Sequence, residues 1–541
     1  MTGVQAPVFL LLPALVWREI HFGCNLVSMI SFPRFFRHAS RSTILALAGV
    51  VVSTEVPAQR PAAVDTKAIL ADLDRYIPKA LAEWNGAGLA IAIVKDDAVI
   101  YARGFGVRER GKPDPVDDQT IFAIGSNTKF FTAVVAGMLQ DDGKLRLTDR
   151  VTTHLPNFQT ADMFASREMT LRDMMSHRTG MSRGDALWYS TSFDRAEVLR
   201  RARYLPQQTS FRSAFGYNNI MFLGVGQACA AAAGMSWDDL IARRIFQPLG
   251  MTASSTSIRN IPKGGNVATP HTYVNGNPRP IAFLDVDNIG PAGSINSTAQ
   301  DMAKWMRFVL AGGKTNGQQL LKPATLAELT SPQSISPFAG DSLDPSRHFT
   351  LCAQGVMIID MQGVKVLQHT GGVDGMLSSV SFVPERQLGV VVLTNTFGHN
   401  NLYTALPTRV LNAFLGGPDR DWSAIALAQM NQQEARALAA TKTRLARRTP
   451  NTSPSRPLEQ YAGTYRSEIY GEATVSVENG ALRIRYERAV NALLAHFHFD
   501  TFLMGDPDED GGVGTSFVQF RLDPLARVVA VDVPGVGEFR K

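Results

Sequence analysis

Phe122-Ala-Ile-Gly-Ser-Asn-Thr-Lys-Phe-Phe-Thr-Ala-Val-Val-Ala-Gly-Met-Leu-Gln140 is the stretch on which the reading of this chain turns. From Asn127 onward Phe130, Phe131, Val134, Val135, Met138 and Leu139 recur at helical spacing, which predicts a helix with one buried face. Asp141-Asp142-Gly143 closes the pattern with a glycine cap. At the opposite end Ser126 and Lys129 stand three residues apart, a spacing that puts both side chains on one helix face within hydrogen-bond reach.

That geometry suits nucleophilic catalysis. A serine hydroxyl attacks poorly until a neighbouring base takes its proton. A lysine becomes such a base when burial or a nearby cation lowers its pKa, and a helix N-terminus adds to that field. Ser-x-x-Lys by itself equally describes a helix cap with a solvated lysine, so the decision rests on what lies downstream.

Downstream, Gly180-Met-Ser182-Arg-Gly184 satisfies the Gly-x-Ser-x-Gly elbow pattern, which works only on a sharp strand-to-helix turn. The preceding Thr170–Ser176 is helical in pattern, and a Gly180 helix cap accounts for the glycine, so Ser182 is not the expected nucleophile. Tyr217-Asn-Asn219 precedes an apolar helix from Ile220; its phenol needs nearby cations to act as a base. His369-Thr-Gly-Gly372 stands at the end of a strand, where only backbone can line a narrow site. Strands are expected at Gly88–Val94, Ala98–Arg103, Leu377–Val383 and Leu388–Asn395, and a helix at Asp301–Leu310.

Ser126-Asn-Thr-Lys129, Tyr217-Asn-Asn219 and His369-Thr-Gly371, in that order, resemble the signature of the penicillin-binding protein and class C β-lactamase family of serine hydrolases. His177-Arg-Thr-Gly180, Phe246-Gln-Pro-Leu-Gly-Met251 and Pro291-Ala-Gly293 match as flanking stretches, and the likeness covers roughly residues 65–415. The resemblance implies an α/β (α+β) fold, an antiparallel sheet flanked by helices with an all-helical lobe and the site between them. It implies Ser126 as nucleophile, with Lys129 and Tyr217 sharing the proton work. The N–H groups of Ser126 and Gly372 would form the oxyanion hole beside Gly371, and Asn219 would orient Lys129 and the substrate amide. His369 occupies a position where many β-lactamases carry lysine, which points toward the family's esterases and peptidases.

At 541 residues the chain is expected to hold two or three units. Its net charge is +6, but four arginines fall in the first 58 residues against Glu19 and Glu55, so the remainder carries about +4. No basic stripe is interleaved with aromatics, which argues against a nucleic-acid protein. Cys24, Cys229 and Cys352 show neither a disulfide framework nor metal spacing, and neither a metal nor a cofactor is expected.

Arg34, Arg37 and Arg41 precede the apolar run Ile44–Val52, and Val56-Pro57-Ala58 offers a cleavage site, so residues 1–58 read as an export signal cut after Ala58. Met29 is an alternative start, and an uncleaved anchor the alternative reading. The mature protein is expected in the periplasm or secreted, with no membrane span. The hydrolase domain is expected over 59–418, a helix and linker over 419–457, and a small all-β unit over 458–541. That unit resembles the lipocalin-like barrel carried by some of these hydrolases. His496-Phe-His498 could turn two imidazoles to one side, though packing at a barrel edge accounts for them.

The expected activity is amide hydrolysis on small linear peptides through an acyl-enzyme. In length and domain order the chain is also similar to the hydrolases that cut linearised microcystin to a tetrapeptide. A carboxylesterase, a weak β-lactamase and a non-catalytic peptide or cell-wall sensor are the alternatives.

Overall fold

The computed structural model describes residues 64–274, 276–337, 343–505 and 515–541; the expected export signal lies outside the described residues. Among them the framework is an eight-stranded sheet. Its strands are β1 (Gly88–Lys95), β2 (Ala98–Gly106), β3 (Ser334–Ile335), β4 (Thr350–Cys352), β5 (Met357–Met361), β6 (Val364–Val373), β7 (Met376–Val383) and β8 (Leu388–Thr394). They lie in the order β2-β1-β8-β7-β6-β5-β4-β3, every neighbouring pair antiparallel. Ile91 of β1 stands opposite Val392 of β8.

β1 is apolar at nearly every position because both its faces are covered. Ala90, Ala92 and Val94 enter one core, and Leu89, Ile91 and Ile93 enter another on the opposite face. The second core is closed by α1 (Thr66–Glu83) and α5 (Leu402–Leu415), through Leu73, Ile77, Leu406 and Leu411. The first is closed by α2 (Thr128–Asp141), α3 (Asn219–Ala233) and α4 (Ala299–Leu310) and continues into the helical lobe.

The helix expected to have one buried face is buried all round: every residue from Thr128 to Leu139 is inside, Lys129 and Thr132 included. Small residues let neighbours approach on the side the apolar pattern does not cover. A Cβ on Gly137 would lie 2.9 Å from Leu329 Cδ1. On the sheet side the Phe131 ring stacks on Trp305 at 3.9 Å, and Phe130 meets Trp305 and Phe382 edge-on. α2 is thereby fixed against both layers.

After α5 the long helix α6 (Trp422–Leu445) leads to a closed eight-stranded barrel. Its strands are β9 (Gly463–Ser467), β10 (Gly471–Glu478), β11 (Ala481–Tyr486), β12 (Val490–His498), β13 (Thr501–Gly505), β14 (Ser516–Leu522), β15 (Val528–Val533) and β16 (Gly537–Arg540). Each pairs with the next, and β16 returns to β9 at Arg540 and Arg466. Tyr461, Tyr465, Tyr486, Phe502, Phe520 and Phe539 fill its interior. His496 and His498 do not share one ligand geometry: His496 Nε2 meets the Phe499 carbonyl, whereas His498 Nδ1 accepts from the Thr449 N–H. Among the described residues no group of three or more ligating side chains suited to a metal occurs, and no single helix is long and apolar enough to cross a membrane.

The stacked Phe131 is fully buried, so its truncation leaves a cavity in the core. Phe131→Ala is expected to cost about 3–5 kcal/mol, read as a lower denaturation midpoint in urea with the native circular dichroism spectrum unchanged before the transition.

Candidate active site

Ser126 sits in a 3-10 turn, Gly125–Asn127, that runs directly into α2. Two glycines admit strand β6 against this turn. Gly125 has φ +52°, and a Cβ there would lie 2.6 Å from the Gly372 nitrogen. A Cβ on Gly371 would lie 1.9 Å from the Ile124 carbonyl oxygen, closer than any side chain tolerates. Thr-Gly-Gly is therefore what allows two backbones to meet beside Ser126. Ser378 on β7 locks the arrangement, accepting from Asn127 Nδ2 at 2.7 Å and donating to the Ile124 carbonyl at 2.7 Å.

One turn along, the Lys129 amine is fully buried. It lies 2.8 Å from each of Ser126 Oγ, Asn219 Oδ1 and the Ala292 carbonyl. Burial drives its pKa well below the ordinary amine value, and the nearby Arg183 cation lowers it further while Asp185 opposes. The partner set agrees with a neutral amine. Two of the three partners are carbonyl oxygens that only accept, so they occupy its two N–H groups, and the lone pair is left facing the Ser126 hydroxyl.

Tyr217 precedes α3, whose first turn is capped by Asn218: its side chain accepts from Met221 N and donates to the Ser182 carbonyl. The Tyr217 ring lies 4.3 Å from that of His177 and 4.9 Å from Lys129 Nζ, and its hydroxyl is hydrogen-bonded to Ser126. Burial raises the phenol above its usual value, while the Ser126 bond and the Arg183 cation pull the other way. Asn219 opens α3 and divides its amide, accepting from Lys129 and donating from Nδ2 to Asp185 Oδ1 at 3.0 Å. His369 is buried beside Tyr217, their ring centroids 6.3 Å apart, and its Nδ1 meets the Thr370 carbonyl. Burial, then the Lys129 amine, takes His369 down to about 3, so it is a neutral imidazole.

Ser126, Lys129, Tyr217, Asn219, His369, Gly371 and Gly372 thus line one site, drawn from α2, the head of α3 and the end of β6. Ser182 stands apart in role. Its backbone is used by Pro206 and Asn218, and a 3-10 turn follows, so the strand-to-helix elbow is missing. Gly180 is not a helix cap either. The helix Leu171–Met175 ends at Ser176, whereas a Cβ on Gly180 would strike Gln207 Nε2 at 2.2 Å and Thr209 O at 2.3 Å.

Two neighbours of this site escaped the sequence reading although they lie in or beside that decoy. Arg183 places its guanidinium carbon 5.3 Å from the Tyr217 ring centroid and pairs with Asp185. Asp185 Oδ1 also accepts from Trp188 Nε1 at 2.8 Å. A third, Tyr189, donates to Asp374 on the β6–β7 turn, so the loop spans from helical lobe to sheet. The barrel holds this loop: Tyr486 Oη donates to the Ala186 carbonyl at 2.9 Å, and the Arg488 N–H donates to Ser190 O.

Against known proteins, residues 73–414 match the beta-lactamase family, and residues 447–539 match a domain of unknown function (DUF3471). An unguisins hydrolase of Aspergillus campestris is 26% identical over 424 residues, covering 75% of this chain and 77% of the relative. Penicillin-binding protein 4 of Amycolatopsis lactamdurans is 28% identical over 61% of this chain and 86% of its own. The octameric penicillin-binding protein homologue from Pyrococcus abyssi superimposes with a TM-score of 0.58 at 21% identity, over 87% of this chain and 99% of that one.

The neutral imidazole has a consequence for stability. Between pH 6.5, where an unfolded histidine titrates, and about 3, the unfolded chain binds a proton at residue 369 that the folded chain refuses. Folding stability therefore falls with decreasing pH across that window. His369→Gln is expected to flatten the fall in melting temperature between pH 6.5 and 4; a variant as steep as the native protein would show that His369 titrates normally.

Proposed function

We propose that this chain, which belongs to the beta-lactamase family, is a serine hydrolase that opens amide bonds of small peptides through an acyl-enzyme. The observation that carries the proposal is the buried Lys129 amine 2.8 Å from Ser126 Oγ, its two other contacts being carbonyl oxygens.

In this reading Ser126 Oγ bonds to the substrate carbonyl carbon as its proton passes to the lone pair of Lys129. The carbonyl oxygen becomes an oxyanion facing the N–H groups of Ser126 and Gly372, an environment worth about 3–4 kcal/mol in comparable sites. Collapse breaks the carbon–nitrogen bond, and the leaving amine receives a proton from the Lys129 ammonium by way of the Tyr217 hydroxyl. Water then repeats the sequence on the ester and frees Ser126. Asn219 serves by holding Lys129; the remaining N–H of its amide is the group that would meet a substrate carbonyl.

The choice of peptides over β-lactams is supported by His369. A neutral imidazole supplies no charge for a drug's carboxylate. A relative named as an unguisins hydrolase supports a hydrolase that acts on amides. The specific substrate we propose is linearised microcystin, cut to a tetrapeptide by an exported enzyme whose C-terminal unit is lipocalin-like. A binding-only sensor would have no use for the intact proton network around Ser126.

Ser126→Ala and Lys129→Ala are each expected to lower turnover of a linear peptide by at least about a thousandfold with an unchanged circular dichroism spectrum, whereas Ser182→Ala stays within a few-fold. Mass spectrometry after a fluorophosphonate probe should place the adduct on Ser126. Labelling at Ser182, or peptide binding without any labelling, sinks the assignment.

A further inference from the structure

We infer that Arg183 is a positioning residue for this chemistry, the fixed positive charge that keeps the Lys129–Tyr217 pair ready to move protons. The inference rests on the hydrolase reading above and concerns a residue outside its three motifs.

Proton transfer from Ser126 needs Lys129 unprotonated and Tyr217 able to pass a proton, and a nearby cation favours both. The groups around the pair supply little of that charge. His369 on β6 is neutral, and so is His177, which burial and the adjacent amine push well down; its Nδ1 accepts from the Asn218 N–H. Cys352 on β4, beside Tyr217, is a thiol pushed up to about 12 by burial. Asp185 adds a negative charge that works against the amine.

Arg183 supplies the opposing sign. Its guanidinium faces the Tyr217 ring at 5.3 Å, and arginine stays protonated at every working pH. Its position is built rather than incidental. Asp185, its ion-pair partner, is tied to Trp188 and to Asn219, which in turn holds Lys129. One residue further on, the Ala186 carbonyl accepts from the barrel's Tyr486 hydroxyl, and the barrel's Tyr470 lies near Asp185. The guanidinium is therefore fixed between the Asp185 carboxylate and the Tyr217 ring, while half its side-chain surface, 53%, remains exposed.

The test is the pH profile of Ser126 acylation by a neutral ester, measured before steady state, for the native protein, Arg183→Gln, Arg183→Lys and Asp185→Asn. Loss of the cation raises the pKa of Lys129, so the acidic limb of Arg183→Gln should move up by about one pH unit, roughly tenfold slower well below the limb. Arg183→Lys should recover part of that shift. Asp185→Asn, which removes the opposing anion, should move the limb down. A structural role for the loop would slow Arg183→Gln and Asp185→Asn alike at every pH without separating their limbs, and that result overturns the inference. An unmoved limb in Arg183→Gln, with KM raised only for a carboxylate-bearing ester, overturns it in favour of a substrate contact. A native protein that neither turns over the ester nor labels at Ser126 at any pH would instead remove the hydrolase reading itself.

Discussion

An amine kept from water is the constraint that the rest of the molecule serves. In the proposed chemistry Lys129 is useful only while uncharged, and an uncharged lysine at neutral pH needs a dry, fully partnered pocket. The all-round burial of α2 provides the dryness. Asn219 from the head of α3 and the Ala292 carbonyl provide the partners. The aromatic stack of Phe131 on Trp305 and the close approach at Gly137 fix the same helix whose residues, Lys129 included, are buried.

How much of this was legible in the sequence follows from how local each feature is. Ser126 and Lys129 share one helix, so spacing alone brought them together. Tyr217 and His369 were legible through the order of their motifs, because nothing local says that they meet. Arg183 and Asp185 were not, since their meaning comes from a loop folding over Tyr217, and the letters around them imitate a different nucleophile's turn. Within the all-β unit strand β12 is the hardest to read, because Ala492, Leu493, Leu494 and Ala495 prefer helix and closure of the barrel overrides that preference. The short β16 carries too few residues to announce itself. Gly180 was misread as a cap because the approach of residues 207–209 is a tertiary fact.

The barrel is more than an appendage in this arrangement. Its interior is packed with tyrosines and phenylalanines, and its rim grips the stretch from Ala186 to Ser192 through Tyr486, Glu487 and Arg488. The same stretch carries Tyr189, which reaches across to Asp374 beside the glycine-lined end of β6. A chain of contacts thus surrounds Ser126, passing through Lys129, Asn219, Asp185, Tyr189 and Asp374 to Gly372.

The pairing of Ile91 with Val392 has a bearing on how the protein comes into being. A ribosome releases β1 long before β8 exists, so the seam between the β2-β1 hairpin and the other six strands stays open through most of synthesis. Contacts so distant along the chain are slow to form. Gly372 itself arrives on β6, which pairs with its sequence neighbours β5 and β7, so the strand that meets Ser126 is also made late. Ser126 therefore meets Gly372 only after the chain has been made through β6.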